Sequence, residues 1–152
     1  VQTCALPIFL PPHFELVILT SSCRPMALPC LFIAYASEKG RGVFTREALP
    51  AGTLIEEAPV IVLSGEDRKM IDQTLLHDYI FEWDPRHRQC CMALGLVPIY
   101  NHACPSNCEY EMDYAAALIR IRTVRPVQSG EEMTINYNGN FDDGKPLWFA
   151  VK

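Results

Sequence analysis

The chain of 152 residues lacks the patterns that mark membrane proteins and nucleic-acid-binding proteins. No run of about 18 apolar residues occurs, so we expect no membrane-spanning helix. There is no basic excess either, because 13 Lys and Arg stand against 18 Asp and Glu and the net charge is −5. Direct binding of nucleic acid is therefore not expected. Hydrophobic residues make up 49% and charged residues 20%, which is typical of one globular domain.

The seven cysteines form no regular disulfide framework, and their number is odd. This usage favours a reducing compartment, and we expect a cytoplasmic protein. Four of them, Cys90, Cys91, Cys104 and Cys108, lie near His102 in the sequence and suggest a zinc site as one interpretation. A structural zinc ion needs four ligands, usually with closely spaced CxxC-type pairs, which these residues do not provide. We expect no metal ion and packed or idle thiols instead.

The first 25 residues differ in character from the rest of the chain. Residues 1–8, VQTCALPI, resemble the in-frame translation of a common short-read sequencing adapter, and residues 9–25 read as upstream sequence before Met26. A secretory or lipoprotein leader is the alternative, but no Lys or Arg precedes the apolar stretch and prolines interrupt it. We expect residues 1–25 to be a non-native or disordered leader that packs poorly, and residues 26–152 to form the domain.

From Met26 onward the pattern predicts a mainly β chain with many short strands and one or two short helices. Strands are expected at 28–34, 43–45, 54–55, 60–63, 117–124 and 133–137. Pro59 is expected to separate the third strand from the fourth. In the fifth, Ile119, Ile121 and Thr123 alternate with two arginines, which predicts one buried face.

One helix is predicted over residues 64–77. Ser64 can cap its N-terminus with Asp67 as a capping-box partner, and an apolar face follows at helical spacing. The members of that face are Met70, Ile71, Thr74 and Leu75. Residues 89–96 are expected to form a short helix or a turn, and residues 100–108 an ordered loop.

Three short segments could carry chemistry, although each has an ordinary interpretation by itself. They read KGRGVF at 39–44, YNHACPSN at 100–107 and GEEMTINY at 130–137. Paired glycines usually form a turn. Glu131 and Glu132 do not form a glycosidase-like carboxylate pair, because adjacent residues on a strand point to opposite faces.

Taken together and in this order, the three segments resemble the SET-domain family of protein-lysine methyltransferases. That family has a GxG motif, a central NHSCxPN motif and a final GEELxxxY motif. The matching residues here are Gly40, Gly42, Asn101, His102, Cys104, Asn107, Gly130, Glu131, Glu132 and Tyr137. Residues 78–81 and 92–95 also resemble minimal single-domain members from bacteria and large DNA viruses, and the resemblance extends over residues 26–152.

The resemblance implies a β-clip fold with several small sheets and a C-terminal segment threaded beneath a loop as a pseudoknot. It also implies transfer of a methyl group from S-adenosylmethionine (SAM) to a lysine amine of a protein, with no metal. By residue, it implies catalysis by Tyr137, cofactor binding by Gly40, Arg41, Gly42, Asn101, His102 and Trp148, and a lysine channel of Tyr79, Ile135 and Phe141. Trp148 and Phe141 have a second interpretation as core aromatics.

Several positions depart from the family pattern. Ala103 and Ser106 stand where Ser and Pro are usual, and Ile135 replaces an aromatic residue that influences how many methyl groups are added. The number of methyl groups is therefore not determined by the sequence. These 152 residues contain none of the cysteine-rich zinc modules that flank many members.

Two further hypotheses stay open at this point. A non-catalytic SET-like module could bind a peptide or SAM without turnover, and a homodimer could complete the lysine channel of a minimal domain. The net charge of −5 suits a basic, Lys-rich protein substrate through charge complementarity. The sequence does not identify that substrate.

Overall fold

A computed structural model describes residues 26–36, 39–84, 86 and 88–147. Residues 1–25, which we expect to be a leader, and Trp148, which we assigned to cofactor binding, lie outside the described residues. In chain order the elements are β1 (Leu31–Tyr35), β2 (Arg41–Thr45), β3 (Leu54–Leu63), α1 (Gly65–Ile71), a 3₁₀ helix (Leu75–Tyr79), β4 (Ile80–Asp84), β5 (Gln89–Ala93), a second 3₁₀ helix (Val97–Ile99), β6 (Asn101–His102), β7 (Cys108–Asp113), β8 (Leu118–Thr123) and β9 (Glu132–Ile135).

These strands form two small sheets. One has the order β1-β2-β9-β6 and the other the order β4-β5-β3-β8-β7. Neighbouring strands are antiparallel except β6 and β9, which pair in parallel with Asn101 opposite Thr134 and His102 opposite Ile135. The prediction of a mainly β fold with several sheets and a short helix is confirmed. Among the described residues, no helix is long and apolar enough to span a membrane.

Pro59 does not divide β3 into two strands, so that prediction was wrong. The strand continues because it changes partner at this residue: residues 54–59 pair with β8, and residues 60–63 pair with β5. A proline lacks the N–H group that a continuous ladder would need. Its carbonyl is still used and accepts a hydrogen bond from the Leu94 N–H at 2.9 Å.

The prediction of a helix or turn at residues 89–96 was wrong for residues 89–93, because Gln89–Ala93 form strand β5. A turn follows only at residues 95–96. This strand pairs with β4 on one side and β3 on the other. Cys90, Cys91 and Ala93 are buried there. Pairing on both edges and burial decide its conformation, and neither is visible in the local sequence.

Helix α1 begins as predicted and ends earlier. The Ser64 hydroxyl accepts from the Asp67 N–H at 3.2 Å, and the Asp67 carboxylate accepts from the Ser64 N–H at 3.0 Å, which confirms the capping box. The helix stops at Ile71, where the Thr74 hydroxyl donates to the Ile71 carbonyl and accepts from the Leu76 N–H to start the 3₁₀ helix. The expected apolar face is not buried, since helix α1 has no buried residue.

The apolar core includes side chains of β8, whose alternation of apolar and polar residues is visible in the sequence. Ile119, Ile121 and Thr123 are buried along β8, as predicted, and the two isoleucines belong to the same apolar cluster as Ile55 of β3. Met133 and Ile135 of β9 are fully buried as well, so both sheets contribute to a single apolar cluster.

Truncation of a buried isoleucine should lower the free energy of unfolding more than truncation of an exposed one. Ile121→Ala removes a side chain with no solvent exposure and should lower the free energy of unfolding by about 2–5 kcal/mol. Ile61→Ala is the matched control, because Ile61 lies on a strand and is 51% exposed, and it should cost about 1 kcal/mol or less. Urea denaturation followed by circular dichroism measures both, and equal losses would contradict the assignment of the core.

Candidate active site

The parallel pairing of β6 with β9 brings the central motif next to Tyr137, which is far away in sequence. The Tyr137 N–H donates to Nδ1 of His102 at 3.2 Å, and the Tyr137 hydroxyl donates to the Tyr100 carbonyl at 2.9 Å. The rings of His102 and Tyr137 lie 5.3 Å apart between centroids. Both ends of Tyr137 are therefore held by the segment that contains the Asn-His pair.

The glycine motif joins the same cluster because β2 is the other neighbour of β9. Nδ2 of Asn101 donates to the Arg41 carbonyl at 3.2 Å and to Oε1 of Glu132 at 2.7 Å. A Cβ atom on Gly42 would collide with Oε1 of Glu132 and would lie 2.8 Å from Nδ2 of Asn101. Gly42 is thus required by close approach, whereas Gly40 is favoured by its φ of +81°.

Asn107 ties the end of the central motif to the last strand. Its Nδ2 donates to the Glu132 carbonyl at 2.7 Å and to the Glu131 carboxylate at 3.2 Å, and its Oδ1 accepts from the Thr134 N–H at 2.7 Å. The Ser106 N–H donates to the carbonyl of Phe141 at 2.9 Å. These bonds hold the segment after β9 against the central loop.

Two cavities meet beside Tyr137. The first, which we call the motif cavity, has a volume of about 690 Å³ and is lined by Lys39, Gly40, Arg41 and Asn101 among others. The second, which we call the aromatic cavity, has a volume of about 570 Å³ and includes Phe81, Tyr110 and Glu82 in its lining. Five residues line both cavities: Asp78, Tyr79, Pro98, Tyr100 and Tyr137.

The structure brings most of the predicted site residues together. Gly40, Arg41 and Asn101 line the motif cavity, and Tyr79 and Tyr137 line both cavities. Gly42 and His102 line neither cavity. Gly42 lies against the Asn101 side chain, and His102 accepts a hydrogen bond from the Tyr137 backbone.

Two predicted channel residues lie elsewhere. Ile135 has no solvent exposure and belongs to the core cluster, and Phe141 is 38% exposed. Neither side chain lines either cavity. Their assignment to the lysine channel stays a prediction.

Burial favours the neutral forms of Tyr137 and His102. Burial, followed by the nearby Glu132, Asp78 and Tyr79, raises the pKa of Tyr137 to about 12. Burial, followed by the charge of Lys39, lowers the pKa of His102. Since Nδ1 of His102 accepts from a backbone N–H, the neutral ring carries its proton on Nε2.

Among the cysteines, Cys90 lines the aromatic cavity, and burial raises the pKa of its thiol. Burial raises the pKa of both Cys91 and Cys108 to about 12, so these thiols stay protonated. Across the described part of the chain, no group of three or more His, Cys, Asp and Glu side chains is arranged to hold a metal ion.

Several site residues were missed by the sequence analysis. Lys39, Asp78 and Tyr100 each directly precede a predicted site residue, so their position beside the motifs was a usable signal. Lys39 donates from Nζ to the His102 carbonyl at 3.0 Å, and the Tyr100 carbonyl accepts from Tyr137. Glu56, which accepts from the Tyr100 hydroxyl, lies 44 residues before it and carries no such signal.

A methyl group added at Gly42 should disturb the site through Asn101. Gly42→Ala places its Cβ against Asn101 and Glu132, and overpacking of this kind costs about 1–3 kcal/mol. We expect lower thermal stability and weaker binding of SAM by calorimetry. Gly144→Ala is the matched control, because a Cβ there meets no atom within 4 Å. If Gly42→Ala binds SAM as tightly as the unchanged chain, the close approach has no role in the site.

Comparison with known proteins agrees with this geometry. The SET domain family model matches residues 40–138. A Schizosaccharomyces pombe protein named histone-lysine N-methyltransferase, H3 lysine-37 specific, is 34% identical over 126 residues, which cover 82% of this chain and 80% of the relative. Histone-lysine N-methyltransferase set9 of the same yeast is 30% identical over 105 residues, which cover 65% of this chain and 22% of that protein.

A solved structure shows the same fold. The crystal structure of a Plasmodium falciparum protein described as a histone methyltransferase superposes with a TM-score of 0.55 and 23% sequence identity, over 70% of this chain and 91% of that chain. The three motifs, the pairing of β6 with β9 and the match over residues 40–138 lead to one conclusion. The chain belongs to the SET-domain family of protein-lysine methyltransferases.

Proposed function

We propose that this chain transfers a methyl group from SAM to a lysine side chain of a basic protein, with Tyr137 as the catalytic residue. The observation that carries the proposal is the position of Tyr137 where the motif cavity and the aromatic cavity meet. A reaction between two bound molecules needs such a junction, because the donor and the acceptor must approach each other in line.

The residues of the motif cavity fit SAM. Lys39 and Arg41 bring positive charge toward the carboxylate of its methionine portion, and Gly40 has no side chain to restrict the approach of its backbone. Asn101 and the backbone of His102 would complete the site for the methionine and adenine portions. When bound, SAM supplies a methyl group already activated by the sulfonium, so no metal ion is needed.

The aromatic cavity fits a lysine side chain. Tyr79, Phe81 and Tyr110 provide aromatic surface for the lysine side chain. Asp78 adds a carboxylate beside it, whereas Glu82 is paired with Arg68 at 3.2 Å. A lysine amine attacks only in its neutral form, and a dry aromatic passage favours that form by disfavouring the charge. Tyr79 and Tyr137 lie where this passage meets the motif cavity.

Tyr137 acts by orientation and not as a base. Its pKa of about 12 keeps the phenol protonated at neutral pH. Because its proton is donated to the Tyr100 carbonyl, the lone pairs of the phenol oxygen can accept from an N–H of the neutral lysine. One lysine N–H is then held away from the cofactor, which leaves the nitrogen lone pair free to point at the methyl group.

The substrate that suits this chain best is basic and Lys-rich. The net charge of −5 favours encounter with cationic segments, and both yeast relatives are named for histone lysine methylation. A histone tail is therefore the first substrate to test. The homodimer, the cytoplasmic location and the bacterial or viral affiliation stay predictions, and a histone substrate would require access to chromatin.

Removal of the Tyr137 hydroxyl should slow methyl transfer without loss of cofactor binding. Tyr137→Phe keeps the ring and loses the acceptor for the lysine amine, and we expect the rate to fall by about 10²-fold. Transfer of tritiated methyl to mixed histones gives the rate, and calorimetry gives the affinity for SAM. Tyr114→Phe is the matched control, since Tyr114 is 60% exposed, and it should keep full activity. Full activity in Tyr137→Phe would refute the assigned role.

The pH dependence should follow the substrate and not Tyr137. We expect kcat/KM to rise from pH 7 toward pH 10, because free lysine loses its proton with a pKa of about 10.4. Ionisation of Tyr137, with its pKa of about 12, should cause no fall within this range. Circular dichroism over the same range controls for unfolding. A descending limb below pH 10 that disappears in Tyr137→Phe would contradict the neutral phenol.

A further inference from the structure

A carboxylate is buried in the core beneath the site. Glu56 on β3 is 1% exposed, although its neighbours in the core are apolar. Its Oε1 accepts from the Leu96 N–H at 2.6 Å and its Oε2 accepts from the Tyr100 hydroxyl at 3.0 Å. Desolvation raises the pKa of Glu56, while the hydrogen bonds from Leu96 and Tyr100 oppose that rise. An apolar side chain would fill the same space without this cost.

The surrounding backbone is shaped to receive the carboxylate. Gly95 has a φ of +90°, and a Cβ atom at this position would lie 2.5 Å from Oε1 of Glu56. The next residue, Leu96, supplies the N–H that binds the same oxygen. The turn that leads to Tyr100 is therefore formed around Glu56.

Tyr100 is held at both of its ends. Its hydroxyl donates to Glu56, and its carbonyl accepts from the hydroxyl of Tyr137 at 2.9 Å. It is 1% exposed and directly precedes Asn101. A displacement of the Tyr100 phenol would therefore move the carbonyl that orients Tyr137.

We propose that Glu56 is a positioning residue for methyl transfer, which acts through Tyr100 to fix the direction of the Tyr137 hydroxyl. Glu56 does not line either cavity. The hydrogen bond to the Tyr100 phenol is directional, so it holds the Tyr100 carbonyl at one angle to Tyr137. The inference rests on the proposed role of Tyr137 in orienting the lysine.

Single variants should separate positioning from packing. Tyr100→Phe keeps the ring and the carbonyl but loses the bond to Glu56, and Glu56→Ala loses both bonds. We expect each to lower kcat by about tenfold, since small misplacement is costly in such reactions, with little change in the KM for SAM. Glu56→Gln retains an acceptor for Leu96 and a polar partner for the phenol, and it should keep most of the activity lost in Glu56→Ala.

A double-mutant cycle with Tyr137→Phe gives the decisive test. If Glu56 acts through the Tyr137 hydroxyl, Tyr100→Phe should have almost no further effect on a protein that already lacks this hydroxyl. Single-turnover transfer detected by mass spectrometry measures the slow rates. The same fold loss from Tyr100→Phe in both backgrounds would overturn the proposal and assign Glu56 to packing alone.

Matched controls and folding checks keep the outcomes distinct. Glu57→Gln alters the next residue of β3, whose carboxylate pairs with Arg120, and Tyr114→Phe alters an exposed phenol; both should keep the rate of the unchanged chain.

If near-ultraviolet circular dichroism shows that Glu56→Ala does not fold, Tyr100→Phe and Glu56→Gln carry the test. Absence of transfer by the unchanged chain refutes the proposed function, whereas transfer with additive losses refutes only the role of Glu56.

Discussion

The parallel pairing of β6 with β9 is the contact on which the site depends. It joins only two residues of each strand, yet it places Asn101 beside β9 and His102 against the Tyr137 backbone. Because β2 lies on the other edge of β9, the glycine motif reaches the same place. Asn107 reinforces the contact with its bonds to Thr134 and Glu132. Segments from three distant parts of the chain thereby form a single cluster.

Buried polar side chains, more than apolar packing, determine the alignment of this cluster. Asn107, Asn136 and Glu56 are almost fully buried, and throughout the described residues every buried side-chain nitrogen and oxygen has a hydrogen-bond partner. Such satisfied networks select one arrangement of the backbone, because any other leaves a desolvated group unpaired. The core isoleucines supply stability without this directional selection.

The charged side chains of the two cavities differ. Lys39 and Arg41 line only the motif cavity, where the carboxylate of the cofactor would lie. In the aromatic cavity, where a lysine would enter, Glu82 and Arg68 pair with each other at 3.2 Å. Tyr137, between them, is kept neutral by burial and nearby negative groups. The protonated phenol of Tyr137 therefore adds no negative charge at the point of reaction, so it does not favour the charged form of the amine.

The sequence by itself determined the features that depend on neighbouring residues, which are the capping box at Ser64 and the alternation along β8. Its motif residues also supported the family and predicted most of the candidate site residues. Only the tertiary structure decided the continuity of β3 through Pro59 and the strand at 89–93, because both depend on strand pairing. The same holds for Glu56, whose partner Tyr100 is 44 residues away. Local patterns extend over a few residues, whereas burial and strand pairing are set by contacts that form only when the chain has folded.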